Sequence, residues 1–191
     1  MSKILSERKI LNEIKTRLKQ AEDYWLEKYQ RGVEDKEFVT VEGAQWGLHT
    51  VHKRKDDGKP SLEFNMCRAY CRQQINTQRQ NRPQAKVVPV DNGADADKAN
   101  LIEGLIKDTE EATDAESAYD TAAENAVYGG LGFYRLVTDY VSDLSFNQEP
   151  KFMPVQNPHA VYIDPLSRAL DGSDMTWAIV GDWDSKDDIV E

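Results

Sequence analysis

Between residues 115 and 141 the pattern changes from a helical to a strand period across three glycines, and this junction restricts the fold more than any other stretch. Ala115–Tyr128 reads as a helix, which Gly129, Gly130 and Gly132 then interrupt. Phe133–Val141 alternates as a half-buried strand does. The glycines are expected to close the helix and let the backbone turn tightly into the sheet. The chain is therefore expected to be α+β, with a long N-terminal helix and further helices packed on a small, mostly antiparallel sheet. Gly129–Gly130–Leu131–Gly132 also looks superficially like a phosphate cradle. A dinucleotide fingerprint runs strand, glycines, helix, and here the order is reversed, so the structural reading is preferred.

The other elements follow from periodicity. Residues 3–31 form a narrow stripe, with Ile4, Leu11, Ile14, Leu18, Ala21, Trp25 and Tyr29 at steps of seven, three and four, and Gly32 is expected to close it. Such a stripe must be covered, either by its own domain or by a neighbouring subunit. Residues 33–60 read as irregular and polar, with Trp46 among glycines and an Asp57–Gly58 turn. A second helix is expected from about Ser61 or Asn65 to Asn81, before Pro83. Gln84–Val90 reads as a strand, Asp91–Gly93 as a turn, and 95–112 as a helix. Further strands are expected at Lys151–Val155, Ala160–Ile163 and Thr176–Asp182. Ser185 and Asp188 make a helix-start pattern with few residues after it. The expected organisation is an N-terminal helical arm at 1–32, an α+β body at 33–184, and the start of a helix of a longer protein at 185–191.

The net charge of −10, from 34 acidic and 24 basic residues, argues against a protein that coats nucleic acid, whose phosphate contacts need a cationic footprint. It is compatible with a channel wall that repels the phosphate backbone. Cys67 and Cys71 are four apart on a predicted helix, which suits reduced thiols rather than a disulfide or a zinc site. The N-terminus has no uninterrupted apolar stretch, so neither a signal peptide nor a membrane span is expected.

No catalytic pattern emerges. His49 and His52 lie in a basic run, read as an exposed loop, without a zincin glutamate, and there is no P-loop or nucleophile elbow. No cofactor and no metal site is expected. Asp171, Asp174, Asp182, Asp184, Asp187 and Asp188 admit an alternative reading as a metal-dependent nuclease or hydrolase. Turn formation and helix starts account for the same aspartates without chemistry. Arg68, Arg72, Arg79 and Arg82 crowd the second helix. They read either as a face salt-bridged to the acidic helices at 95–128 or as a contact with an acidic partner or DNA.

Ala122–Tyr140 resembles the portal proteins of short-tailed, lambdoid-type phages, in which a helix ends in a small-residue turn and leads into a strand. Gly132, Phe133, Arg135, Thr138, Asp139 and Tyr140 match that pattern. Gly43–Ala44–Gln45–Trp46, the run from Gln78 through Val90, and Pro158–Pro165 followed by Lys186–Asp187 match further stretches in the same order. The resemblance implies a structural subunit of a dodecameric ring through which double-stranded DNA is packaged and ejected. It implies terminase, scaffolding, coat and head-completion or tail proteins as partners, a place at the portal vertex of the virion, and host cytoplasm during assembly. It also implies that residues 33–184 are wing-like and that most of the channel lies outside this N-terminal portion.

Overall fold

The computed structural model describes residues 2–82, 84–89, 95–142, 144–169 and 172–183, with side chains from Glu7 onward. The elements are α1 (Ser2–Thr40), α2 (Leu48–Asp56), α3 (Met66–Gln80), α4 (Ala96–Ala112), α5 (Ala115–Gly129), β1 (Tyr134–Tyr140), β2 (Gln148–Pro154), a short 3-10 turn (Pro158–Ala160), β3 (Val161–Ile163) and β4 (Ala178–Val180). The fold is α+β. The strands form two separate antiparallel pairs, β1 with β2 and β3 with β4, rather than one sheet. Two compact units result: residues 1–34 with 157–191, and residues 35–156.

In the first unit, the inner row of α1 is Leu18, Ala21, Trp25, Tyr29 and Gly32, while Leu11 and Ile14 of the predicted stripe remain exposed. The row ends against β3. Alternate residues of a strand point to opposite edges. Ala160 accepts from Gly181 N on the β4 side at 2.8 Å, so Val161 and Ile163 present their carbonyls to the other side. There the Tyr29 hydroxyl donates to Val161 O and the Trp25 indole to Ile163 O, the latter at 3.1 Å. Four helical residues rise about 6 Å and two strand residues span about 6.6 Å, so donors at i and i+4 match acceptors at i and i+2. Trp25 and Tyr29 stack at 5.8 Å, and the Tyr29 ring meets those of His159 and Tyr162. Burial, aided by Tyr162, pushes the Tyr29 hydroxyl up to about 12.

Beyond β3, the buried Asp164 accepts from Thr176 Oγ1 at 2.6 Å and Leu166 N at 3.0 Å. These bonds, led by Thr176, hold its carboxyl below the usual range.

In the second unit, α5 is the centre, with α3, α4, β1 and β2 around it. α4 and α5 form a helical hairpin joined at Thr113–Asp114, with Asp114 left-handed at φ 50°. Tyr119 of α5 packs edge-on against Tyr134 of β1 and Phe152 of β2 at 5.0 and 5.6 Å. Its hydroxyl donates to Glu110 on α4 at 2.8 Å. Burial and this carboxylate together raise the pKa of the Tyr119 hydroxyl. Buried Asn125 reaches the Gln156 carbonyl at 3.4 Å.

Three expectations are corrected. Gly32 does not end the first helix, which runs to Thr40: glycine costs an interior helical position only about 1 kcal/mol, and Gly32 lies buried in the inner row. Residues 33–60 are not all irregular, since they hold the end of α1 and the whole of α2. Gln84–Pro89 forms no strand, because neither pair of strands offers it a partner, and β-branched residues alone do not make a sheet. Val90, the turn at 91–93 and the helix start at 185–191 lie outside the described residues.

Candidate functional site

Among the groups that the sequence singles out, the α3 arginines and the glycine junction lie in the second unit. Asn65 caps α3 by accepting from Arg68 N at 2.9 Å, and its amide donates to Val39 O at the end of α1 at 2.8 Å. The inner row of α3 is Arg68, Cys71, Ile75 and Gln78, continued by Arg82 just after the helix. Arg79 pairs with Asp120 at 3.1 Å and Glu124 at 3.6 Å. Arg82 pairs with Glu116 and, at 3.1 Å, with Asp120. Asp120 is thus shared by two guanidinium groups on the inner side of α5. The Glu116 hydrogen bond, reinforced by both carboxylates, raises the Arg82 pKa.

The four arginines therefore differ in what they meet. Arg79 and Arg82 join α3 to α5, Arg68 is half-buried, and Arg72 is exposed. The sequence signal for this division was the acidic spacing of α5, Glu116–Asp120–Glu124, one carboxylate per turn.

The junction after α5 is built by two glycines with different tasks. Gly130 takes the left-handed conformation at φ 82° and donates to Ala126 O at 3.0 Å, closing the helix. Gly132 passes so close to α5 that a Cβ would lie 1.8 Å from the Ala122 carbonyl oxygen. Gly129 is the last residue of α5. β1 then leaves with Arg135 and Val137 half-buried and Tyr134 and Leu136 exposed, in register with Met153, Lys151, Pro154 and Phe152 respectively.

Trp46 fastens another turn. Its indole donates to Leu62 O at 3.2 Å, and Arg54 lies 4.8 Å over its ring while donating twice to Pro60 O. This clasp holds α2 although none of its residues is buried. His49 and His52 therefore stand on a helix, not in a loop. Trp46 was legible as a feature, but its long-range partners were not.

The acidic group is dispersed in use. Asp174 accepts from Ser167 Oγ at 2.6 Å and Arg168 N at 2.7 Å, which keep its pKa low. Asp182 accepts from Trp183 N at 2.9 Å. Asp171, Asp184, Asp187 and Asp188 lie outside the described residues. Among the described residues no three His, Cys, Asp or Glu side chains are grouped to hold a metal ion, and no helix is long and apolar enough to cross a membrane. Cys67 and Cys71 are free thiols on α3.

These features are scaffolding: a capped helix, an ion-paired helix pair, a glycine turn and a clasped loop. The comparisons agree with that character. The family model of the phage P22-like portal protein matches residues 15–191. The portal protein of Acyrthosiphon pisum secondary endosymbiont phage 1 is 31% identical over 158 residues, which cover 78% of this chain and 22% of that protein. The chain thus spans about a fifth of the length of that curated relative. With a family match that takes in the arginine helix, the glycine junction and both strand pairs, the chain belongs to the phage P22-like portal proteins.

Proposed function

We propose that the chain is part of the wall of a portal ring, the head-to-tail connector through which phage DNA enters and leaves the capsid. The observation that carries this reading is the family match over residues 15–191. In this reading residues 33–184 belong to the peripheral wing, and the subunit works without a catalytic site of its own. Twelve copies form the ring at the portal vertex of the virion, after assembly in the host cytoplasm. Terminase, scaffolding protein, coat protein and the head-completion or tail proteins dock on it, and double-stranded DNA passes through.

The chemistry of the chain supports such a role. Its net charge of −10 argues against a segment that holds DNA by its phosphates, in keeping with a peripheral place. Arg79 and Arg82 are engaged by α5, so a contact with an acidic partner or with DNA falls to Arg68 and Arg72. Electron microscopy of the full-length protein tests the reading: closed rings of cyclic symmetry are expected, and monomers alone at high concentration would refute it.

A further inference from the structure

Each pair of strands has one closed edge and one open edge. Beyond β1 and β2, Val141 N donates to its register partner Asn147 O at 3.0 Å. Hydrogen-bonded pairs alternate along an antiparallel ladder, so Leu136 and Thr138 on β1 turn their backbone groups outward, as do Pro150, Phe152 and Pro154 on β2. On β2 that row is closed. The two prolines carry no N–H, and Phe152 N donates to Thr113 Oγ1 at 3.4 Å. On β1 the row is open. Asp139 accepts from Tyr140 N at 2.9 Å, but the amides of Leu136 and Thr138 meet no acceptor among the described residues, and the Leu136 side chain is 60% exposed.

The β3–β4 pair has the same asymmetry. Its β3 side receives the Trp25 and Tyr29 donors. The bond from Gly181 N to Ala160 O turns Ala178 and Val180 of β4 outward. Both are exposed, and among the described residues their amides meet no acceptor either. Of the four edges the chain closes two, by different means, and leaves two that match. The outward residues Leu136, Thr138, Ala178 and Val180 include no proline and no charge. Set against one another they pair aliphatic with β-branched side chains, a favourable cross-strand combination without like charges.

We infer that β4 of one copy adds to β1 of the next, antiparallel, and joins the two pairs into one sheet of order β2-β1-β4-β3. With Leu136 opposite Val180 and Thr138 opposite Ala178, Asp139 and Asp182 stand at opposite ends of the contact, whereas a parallel run would bring both carboxylates to one end. Within one copy the two pairs are separate. Pairing between copies closes both open edges at once, which a strand from any other source would not do. Two different edges meeting head to tail make the type of contact that closes into rings. The inference rests on the portal-ring reading and names a subunit contact within it.

The test uses the full-length protein that carries this segment and compares its rings with subunits kept apart by dilution. Hydrogen exchange at the Leu136, Thr138, Ala178 and Val180 amides should slow about tenfold or more on ring formation. Thr138→Pro and Val180→Pro each remove one outward donor and no bond inside either pair, as the prolines of β2 already do. In sedimentation each should weaken assembly by about tenfold or more, and the two together should cost little beyond either alone, since both break one contact. If rings form while these amides exchange as in separated subunits, or while those of only one strand slow, this contact is wrong and the ring reading stands. Rings of unaltered strength from both proline variants would also overturn it. If the unaltered protein stays monomeric, the ring reading falls and the contact with it.

Discussion

The unit of residues 35–156 is fastened by charge and by one glycine, whereas the unit of residues 1–34 and 157–191 is fastened by aromatic side chains that donate to a strand edge. Neither relies on a deep core. Among the described residues no large side chain is fully buried, and half of the buried apolar set is alanine, the rest being Tyr29, Ile75, Val155 and Val161. With so little apolar burial, specific contacts decide each unit's shape. Charged contacts with partly exposed partners respond to salt, while hydrogen bonds to strand carbonyls respond to the loss of single hydroxyl or indole groups.

The sharpest way to break the comparison is Gly132→Ala. The new Cβ would meet the Ala122 carbonyl, a backbone atom that cannot move without disturbing α5. Destabilisation of about 3 kcal/mol is expected in the 35–156 unit, with hydrogen-exchange protection lost in α5 and β1 and kept in β3. Gly130→Ala, strained only by its positive φ, should cost less, about 1 kcal/mol.

Next come Tyr29→Phe and Trp25→Phe, each expected to cost about 1–2 kcal/mol by leaving a strand carbonyl without its donor. Denaturant titration with hydrogen exchange should localise that loss to β3 and β4. A loss appearing equally in α5 would erase the distinction between the units.

A smaller effect is expected of Asp120→Asn, which removes the charge shared by Arg79 and Arg82. The unfolding midpoint of the 35–156 unit should fall, and the difference from the unaltered protein should shrink in about 1 M salt, where screening acts within about 3 Å. Tyr29→Phe should show no such salt dependence.

The smallest effect is that of pH on the first unit. Asp164 and Asp174 have folded pKa values below 3.8, so their contribution is complete above that value and is lost as pH falls through the lower folded value. Tyr29 is raised from 10.0 to about 12, so its contribution is complete below pH 10 and is lost as pH rises through about 12. Asp164→Asn should flatten the acid limb of the stability profile and leave the alkaline limb in place.

Much of this was readable in the residues. The change of period at 129–133 foretold α5, the turn and β1, because backbone freedom at glycine is a local property. Helices α3 and α4 start at Asn65 and Asp95, close to where their residues place them, and both side chains accept from the first turn. What was not readable depends on partners distant in sequence. α2 lacks an apolar stripe and exists because Trp46 and Arg54 clasp Pro60 and Leu62. The division of the α3 arginines depends on which turns of α5 lie opposite. Residues 84–89 have strand-like composition but no strand to pair with. The family itself was legible from short matched runs, and the family model and a relative at 31% identity show it.

The matched spacing of Trp25 and Tyr29 against Val161 and Ile163 has one more consequence. A strand edge with unpaired carbonyls is a template on which a strand of another chain can grow, the first step of aggregation when many copies are made close together. Here a helix occupies that edge with two side-chain donors, so β3 is closed to recruitment on that side although it is only three residues long. Any strand joining this pair must add along the outer edge of β4. The sheet can grow in one direction only, which limits edge-to-edge pairing between copies of the chain.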